Sequence, residues 1–544
     1  MTLLLSQCSN MLQTQAELRD LNDLIKSLPD EPVLIYDKQD LETVGDDLSG
    51  YYILMADIDL GDGAWTPIGT SADPFTGTFY GREFTLSNLT INSGETHRGF
   101  FGYIGAAGTV THLHLAGASI TGATHAGAVA GNNEGTISNC VNSGTVTGDS
   151  GHLGGIAGTN SGTIDFCDNT GTVTGTEYIG GVCADNTGTL DACRNSGTAE
   201  ASGDYVGGVA GNNTGTISNC YNEGTVTGGG DYAGGVAGYD KGTISDCYNA
   251  GTVTGGNSVG GVIGETESAA SNCYNTGTVS GTDEVGGVVG VHGWTPMEDC
   301  YNTGDVSGTT NIGGVAGYSN ATISYCHNAG HVSGSTHVGG IVGITDQYIE
   351  YSFNTGKISG GDSTGGIAGC NNDGVIYNYC YNTGDVDGDQ YIGGVVGENV
   401  GQILQCYNTG AVTGTGAVGG IAGLHMGDEI WYCYNRGPVS GGSHIGGVIG
   451  YWGAPFSVCY NTGTVTGTVG FGPVLGNGTT GTNTCYYLDS CASGGNSAGT
   501  AASETEMKTQ GTYTDGDWDF ANDWRIDSAI NDGYPFLRGS PLDS

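Results

Sequence analysis

The chain has 544 residues, 106 of them glycine, and a formal net charge of −44 from 56 acidic against 12 basic side chains. Glycine this abundant without a Gly-X-Y period excludes collagen, while 37% hydrophobic residues and 30 tyrosines argue against a disordered tail. So negative a surface repels DNA, RNA and anionic lipid head groups and attracts cations and basic protein patches.

At the start, "MTLLLSQCSN" offers only Leu3 to Leu5 as an apolar core, too little for a signal peptide. No stretch approaches the roughly 20 apolar residues of a membrane helix, so direct membrane insertion is not expected. Residues 16–28, "AELRDLNDLIKSL", set Leu18, Leu21, Ile25 and Leu28 on one face of a short helix that Pro29 stops. Residues 1–34 therefore read as an N-terminal helical cap, and the strand-rich, non-repeating residues 35–98 as a second capping segment.

Residues 99–484 are a repeat. A cysteine returns every 26 or 27 residues from Cys140 through Cys167, Cys193, Cys220, Cys247, Cys273 and Cys300 to Cys326, and the file continues at Cys380, Cys406, Cys433, Cys459 and Cys485. Ser352 fills the one vacant place. Each unit carries three short β-type phrases, "GGVAG" (207–211), "GTISNCYN" (215–222) and "GTVTG" (224–228), rich in Val, Ile and Thr and bounded by turn residues. A period of this length with strands this short predicts an all-β fold: a parallel β-solenoid with three short strands per coil, about fourteen coils and caps at both ends. At ~4.8 Å per coil the rod is roughly 65 Å long. Residues 485–544 break the pattern and end in "DWDFANDWRIDSAINDGYPFL", which reads as the closing C-terminal cap.

Strand alternation turns Cys220 inward with Ile217, as a small apolar filler repeated one coil above another. Free thiols are expected along this structural ladder, and off it Cys491 is the best placed to bridge Cys485. The next residue then faces outward, giving an aromatic stripe of Tyr221, Tyr248, Tyr274, Tyr301, His327, Phe353, Tyr381, Tyr407, Tyr434, Tyr460 and Tyr486. Asparagine follows in thirteen coils, from Asn142 to Asn461, as a structural ladder of stacked amides at turn positions.

These phrases resemble the GLUG-motif family of bacterial extracellular proteins. The resemblance lies in "YYILMADIDLGDGAWTPIGTSADPFTGTFYGREFTLSNLTIN" (51–92), the repeated "GGVAG" with "GTISNCYN", and the exit "WDFANDWRI" with "GYPFL". It implies a secreted or surface-attached β-helical module of a kind found in adhesin-like proteins and beside the catalytic domains of bacterial immunoglobulin A peptidases. No secretion signal or wall anchor is legible, so the sequence reads as a stretch of a larger protein. The metallopeptidase "HExxH" is absent as well.

Parallel β-helices also host polysaccharide-active enzymes, but no nucleophile–base arrangement emerges and no catalytic residue is expected. Asp385, Asp387 and Asp389 read as solvated turn carboxylates. His112 and His114 alternate on a strand and share a face, without a third ligand to make a metal site. Lys357 and Arg436 read as exposed substitutions. No cofactor is expected beyond weak calcium binding by acidic turns. The stripe formed by Tyr221, Tyr248, Tyr274, Tyr301, Tyr381, Tyr407, Tyr434 and Tyr460 is the candidate binding surface, for a glycan or a host or extracellular-matrix protein. The function expected is that of a non-enzymatic stalk or ligand-presenting module of a bacterial surface adhesin. Self-association into filaments and a polysaccharide-active enzyme are the alternatives.

Overall fold

The computed structural model describes residues 32–543 apart from 62, 123, 479–483, 492–497 and 514–516. The helix read at 16–28 and Cys8 lie outside the described residues. Among the described residues no helix is long and apolar enough to cross a membrane.

The chain winds as an all-β parallel β-solenoid of about 16 turns, two more than the repeat count. The difference comes from the lead-in segment, whose strands join the same sheets: Tyr51–Leu54 pairs with Thr78–Tyr80, which pairs with Thr109–Thr111. Here the core is filled by Phe75, Phe79, Phe100 and Phe101, with Trp65 stacked on Phe100 at 5.1 Å, in place of the cysteine and valine files farther along.

One coil shows how the repeat folds. Thr216–Ser218 lies in the first sheet, Tyr221–Asn222 in the second, Thr225–Gly228 and Ala233–Gly234 in the third, and Ala237–Asp240 in the fourth. The sheets hold 17, 18, 28 and 15 parallel strands. The phrase "GTISNCYN" is thus two strands rather than one, so the coil has four faces. The break is at Asn219, whose φ of 54° is left-handed and turns the chain from the first sheet into the second. Tyr205, at φ 62°, makes the second left-handed corner, before the third sheet runs into the fourth. The left-handed residue is therefore Asn219, two places before the ladder asparagine, and Asn222 itself is a strand residue.

Pairing is in register coil on coil, Ile217 over Ile244, Asn222 over Asn249 and Val226 over Val253, so like stacks on like. Ile217, Cys220 and Val226 are fully buried. The cysteine also carries a hydrogen bond. Across the left-handed corner its thiol donates to the carbonyl two residues earlier, as from Cys247 to Ser245 at 3.1 Å and from Cys273 to Ser271 at 3.3 Å. Ser352 makes the same bond to Glu350 at 2.9 Å, which explains why serine can take a cysteine's place. Burial pushes the Cys220 and Cys247 thiols well up, so they remain protonated; Cys220 Sγ accepts from the Cys193 amide at 3.3 Å. Cys485 and Cys491 are both free: the Cys491 sulfur takes a contact of 3.5 Å from Asn461 Nδ2 and so ends the asparagine ladder.

That ladder is interior and fully satisfied. Asn222 accepts from Asn195 at 2.7 Å and from the Gly224 amide at 3.2 Å, and it donates to Asn249 at 2.8 Å and to the Gly224 carbonyl at 2.9 Å. Room for the amide comes from the glycine doublet opposite. A Cβ on Gly208 would lie 2.5 Å from Asn222 Oδ1 and 2.1 Å from the Gly235 carbonyl. A second buried polar file begins as Asn133, Asn160, Asn186 and Asn213, and goes on through Asp240, Thr266, His292 and Ser319. His292 Nε2 donates to the Thr295 carbonyl at 2.7 Å, with Nδ1 2.8 Å from Ser319 Oγ.

Asn249→Ala removes four buried hydrogen bonds, one each from Asn222 Nδ2 and Asn275 Oδ1 and one each from the Gly251 amide and carbonyl. It is expected to destabilise by about 2–4 kcal/mol, whereas Thr227→Ala on the outer face stays within about 0.5 kcal/mol, as chemical denaturation of the two variants will show. Burial holds His292 down from 6.5 to about 4. The unfolded chain takes up a proton near pH 6.5 that the folded chain refuses until about pH 4, so stability falls as pH falls through that window, by about 3 kcal/mol. Denaturation midpoints measured from pH 7 to pH 4 should drop more steeply for the wild type than for His292→Asn.

Candidate functional site

The stripe forms on the second sheet. From Tyr221 to Tyr460 successive rings, including His327 and Phe353, lie 4.8–4.9 Å apart and within 8° of parallel. This spacing is the strand spacing, imposed by register. It leaves each interior ring sandwiched between its neighbours, so the stripe presents ring edges and hydroxyls, and no free ring face on which a sugar could stack.

The stripe is also covered over part of its length. Tyr221, Tyr248, Tyr274, Tyr301 and Tyr381 are half-buried, whereas Tyr407, Tyr434, Tyr460 and Tyr486 are buried under the C-terminal segment. That segment lies along the flank of the rod as a brace, with Met507, Tyr513, Trp518, Trp524, Tyr534 and Leu537 packed on the rings. Two of the hydroxyls are used, Tyr460 donating to the Pro535 carbonyl at 2.5 Å and Tyr486 to that of Thr512 at 3.1 Å, whereas the buried Tyr434 hydroxyl has no partner among the described residues. Arg436 is a clamp rather than an exposed substitution. Its guanidinium donates to Asn531 Oδ1 at 2.5 Å and Asp532 Oδ2 at 2.6 Å, and lies 5.1 Å over the Tyr534 ring. Thus three of the eight candidate tyrosines, Tyr407, Tyr434 and Tyr460, are withdrawn from the open surface.

The other candidates do not converge. Lys357 pairs with Asp387 at 2.8 Å, and Asp385 accepts from the Ala411 amide at 3.1 Å. His112 sits at a left-handed corner, φ 54°, which breaks the strand alternation that would have put it on one face with His114; it packs edge-on against Tyr80.

A second flank escaped the sequence reading. At the left-handed bend within the third sheet, ahead of its last strand before the fourth, His97, His125, His152, Tyr178, Tyr205 and Tyr232 stack at 4.5–5.1 Å. Beside them runs the outward file of the fourth sheet, including Asp185, Asn212, Tyr239 and Glu265. Between the two files lies a cavity of about 400 Å³ lined by Tyr178, Tyr205, Tyr232, Tyr239, Lys241 and Glu265. Tyr239 meets Tyr205 and Tyr232 at 70° and 59°, and Lys241 lies 5.2 Å over its ring. Farther along, Tyr391, Glu398, Leu424, Met426, His444 and Tyr451 line a cavity of about 710 Å³.

Two clusters on this flank bring metal-ligating groups together: His125 with His152 and Asp185, and His337 with Cys370 and Glu398. His152 bonds Asp185 through Nδ1, and the carboxylate holds His152 above its ordinary value. Burial, then the imidazoles of His152 and His97, push His125 below it. Burial, with Glu398 and Asp346 nearby, pushes Cys370 up to about 12. Aligning the repeats two places before each glycine doublet lines up His125, His152 and His337 in one column, the signal that was present in the sequence.

Residues 202–227, one full coil that includes the left-handed corners and Cys220, match the family model for the GLUG motif. The chain carries the GLUG motif. Halomucin of Haloquadratum walsbyi is 35% identical over 134 residues, 22% of this chain and 2% of halomucin. A protein of Evansella cellulosilytica named "Putative Gly-rich membrane protein" is 38% identical over 122 residues, 20% of this chain and 14% of that protein. The matches thus span only small parts of both relatives. A Bacteroides ovatus crystal structure described as "a putative immunoglobulin A1 protease" aligns over 94% of this chain and 93% of its own, at 14% identity and a TM-score of 0.20, a level that carries no inference.

Arg436→Ala should release the brace while the GLUG coils stay folded. Hydrogen exchange is expected to rise over residues 517–540 and around Tyr434 and Tyr460, with exchange in the central coils unchanged.

Proposed function

We propose that this GLUG solenoid is a non-enzymatic, extracellular surface module, a stalk or ligand-presenting rod, whose tyrosine rail takes up peptide segments of a protein partner. The observation that carries this reading is the rail's treatment of its own C-terminal segment. Ring edges pack against Trp518 and Trp524, and a rail hydroxyl donates to a backbone carbonyl of the strand laid over it. From Tyr221 to Tyr301 the same rail is open, with the same spacing and the same hydroxyls. A protein segment matches that chemistry better than a glycan does, because the rail lacks the free ring faces that sugar stacking uses. The net charge of −44 favours a segment with basic residues. A location at the cell surface is supported by a relative whose name places it at a membrane.

The test is a binding array of extracellular-matrix proteins and glycans, probed with the wild type and with Tyr221→Ala, Tyr248→Ala, Tyr274→Ala and Tyr301→Ala combined. Protein ligands that the combined variant loses support the reading. Glycan ligands retained by the variant, or no ligand for either, would overturn it in favour of a plain spacer.

A further inference from the structure

The cluster of His125, His152 and Asp185 lies on the flank opposite in character to the tyrosine rail and is independent of it. Its three donor atoms come from three successive coils and lie within 4.8 Å of one another. His125 and His152 are stacked at 4.6 Å and 6° at the left-handed corner, φ 55° and 65°. Asp185 reaches them because the outward residue of the fourth sheet in one coil lies against the corner residue of the coil before it. Later coils fill the same column with Tyr178, Tyr205 and Tyr232, so stacking alone is satisfied by tyrosine, and imidazole adds a nitrogen donor.

Two further observations point to a ligand. His125 Nδ1 is buried and has no hydrogen-bond partner among the described residues, an orphaned group on a side chain that faces the cluster. Asp185 is held from behind: Asn212 Nδ2 donates to its Oδ1 at 3.2 Å while Oδ2 faces His152. A carboxylate fixed through one oxygen with the other directed at an imidazole is the arrangement that metal sites use to orient their ligands.

We propose that His125, His152 and Asp185 bind a divalent transition-metal ion, of the zinc type. Two imidazoles and one carboxylate suit Zn²⁺ and its neighbours, whereas Ca²⁺ takes six or more oxygens. A tetrahedral shell sets donor atoms about 3.4 Å apart, so the His152–Asp185 contact opens to admit the ion while His125 adjusts within the 4.8 Å that spans the cluster, movements that rotation of the partly exposed imidazoles supplies. The protein supplies three ligands, which leaves a fourth position for water or an anionic group of a ligand. Because the ligands belong to three coils, the ion also ties those coils together.

The experiment uses the full chain without an affinity tag, stripped with a chelator, and titrated with Zn²⁺ by calorimetry and with Co²⁺ by absorption. His125→Tyr and His152→Tyr keep the ring stack in the form found at Tyr178, and Asp185→Asn keeps the side-chain shape. The wild type should take up Zn²⁺ saturably and melt at a higher temperature with it. Each variant should bind at least tenfold more weakly at this site, with its metal-free melting temperature lowered by no more than the loss of one half-exposed ion pair entails, a few degrees at most. Absence of saturable uptake by the wild type would overturn the proposal, as would uptake equal in wild type and variants. A cobalt spectrum showing only a thiolate charge-transfer band would do so too, by assigning the ion to His337, Cys370 and Glu398.

Discussion

The structure depends on the in-register parallel pairing of one coil with the next. Backbone hydrogen bonds run along the rod, so each residue has its counterpart about 4.8 Å above it, and every side-chain choice is repeated as a file. Files of one residue type are stable only where that residue can bond or pack against itself. Asparagine meets the condition inside, because its amide donates upward and accepts from below while its remaining groups close on the glycine two residues on. Valine and isoleucine meet it by packing, and cysteine by combining a small apolar volume with a thiol that satisfies a corner carbonyl. A carboxylate or an ammonium fails the condition, since like charges would stack. Asp240, a carboxylate buried among the described residues, sits between Asn213 and Thr266, both of which donate to it.

The same constraint decides what the surface can do. Rings held at strand spacing use their faces on one another, so the tyrosine stripe is a rail of edges and hydroxyls. The C-terminal brace shows the chemistry such a rail accepts, namely apolar rings against the edges and backbone carbonyls against the hydroxyls. Arg436 is placed where the brace needs a cation, in a chain with only 12 basic residues, which explains a substitution that interrupts the repeat.

Fold class was legible from the period, because a 26- or 27-residue spacing with Val, Ile and Thr between turn residues has few other solutions. The cysteine and asparagine files were legible too, since register makes them periodic in sequence. The four-sided coil was not. Its corners are left-handed at Asn219 but equally at Phe166, Tyr325 and Val458, so stacking of the neighbouring coils, and not residue preference, imposes the conformation. The brace was hidden for a different reason: Tyr460 and Asn531 lie 71 residues apart and belong to no repeat.

The groove was hidden because its contacts cross coils at an offset that differs from the period. His152 meets Asp185 across 33 positions, and His337 stands at the same offset from Cys370. A reader counting 26 or 27 compares residues that stack and overlooks those that face each other diagonally. This offset has a consequence for what a solenoid can evolve. Interior files are fixed by packing or hydrogen bonding between successive coils, so a change in one coil disturbs the coils on either side. Corner residues and the outward residues of the fourth sheet make fewer demands on their own file, so unlike groups can be set side by side there. Histidine beside aspartate and histidine beside cysteine are pairings that vertical stacking of identical residues cannot produce. In a rod built from copies, chemistry concentrates where neighbours need not be copies of one another.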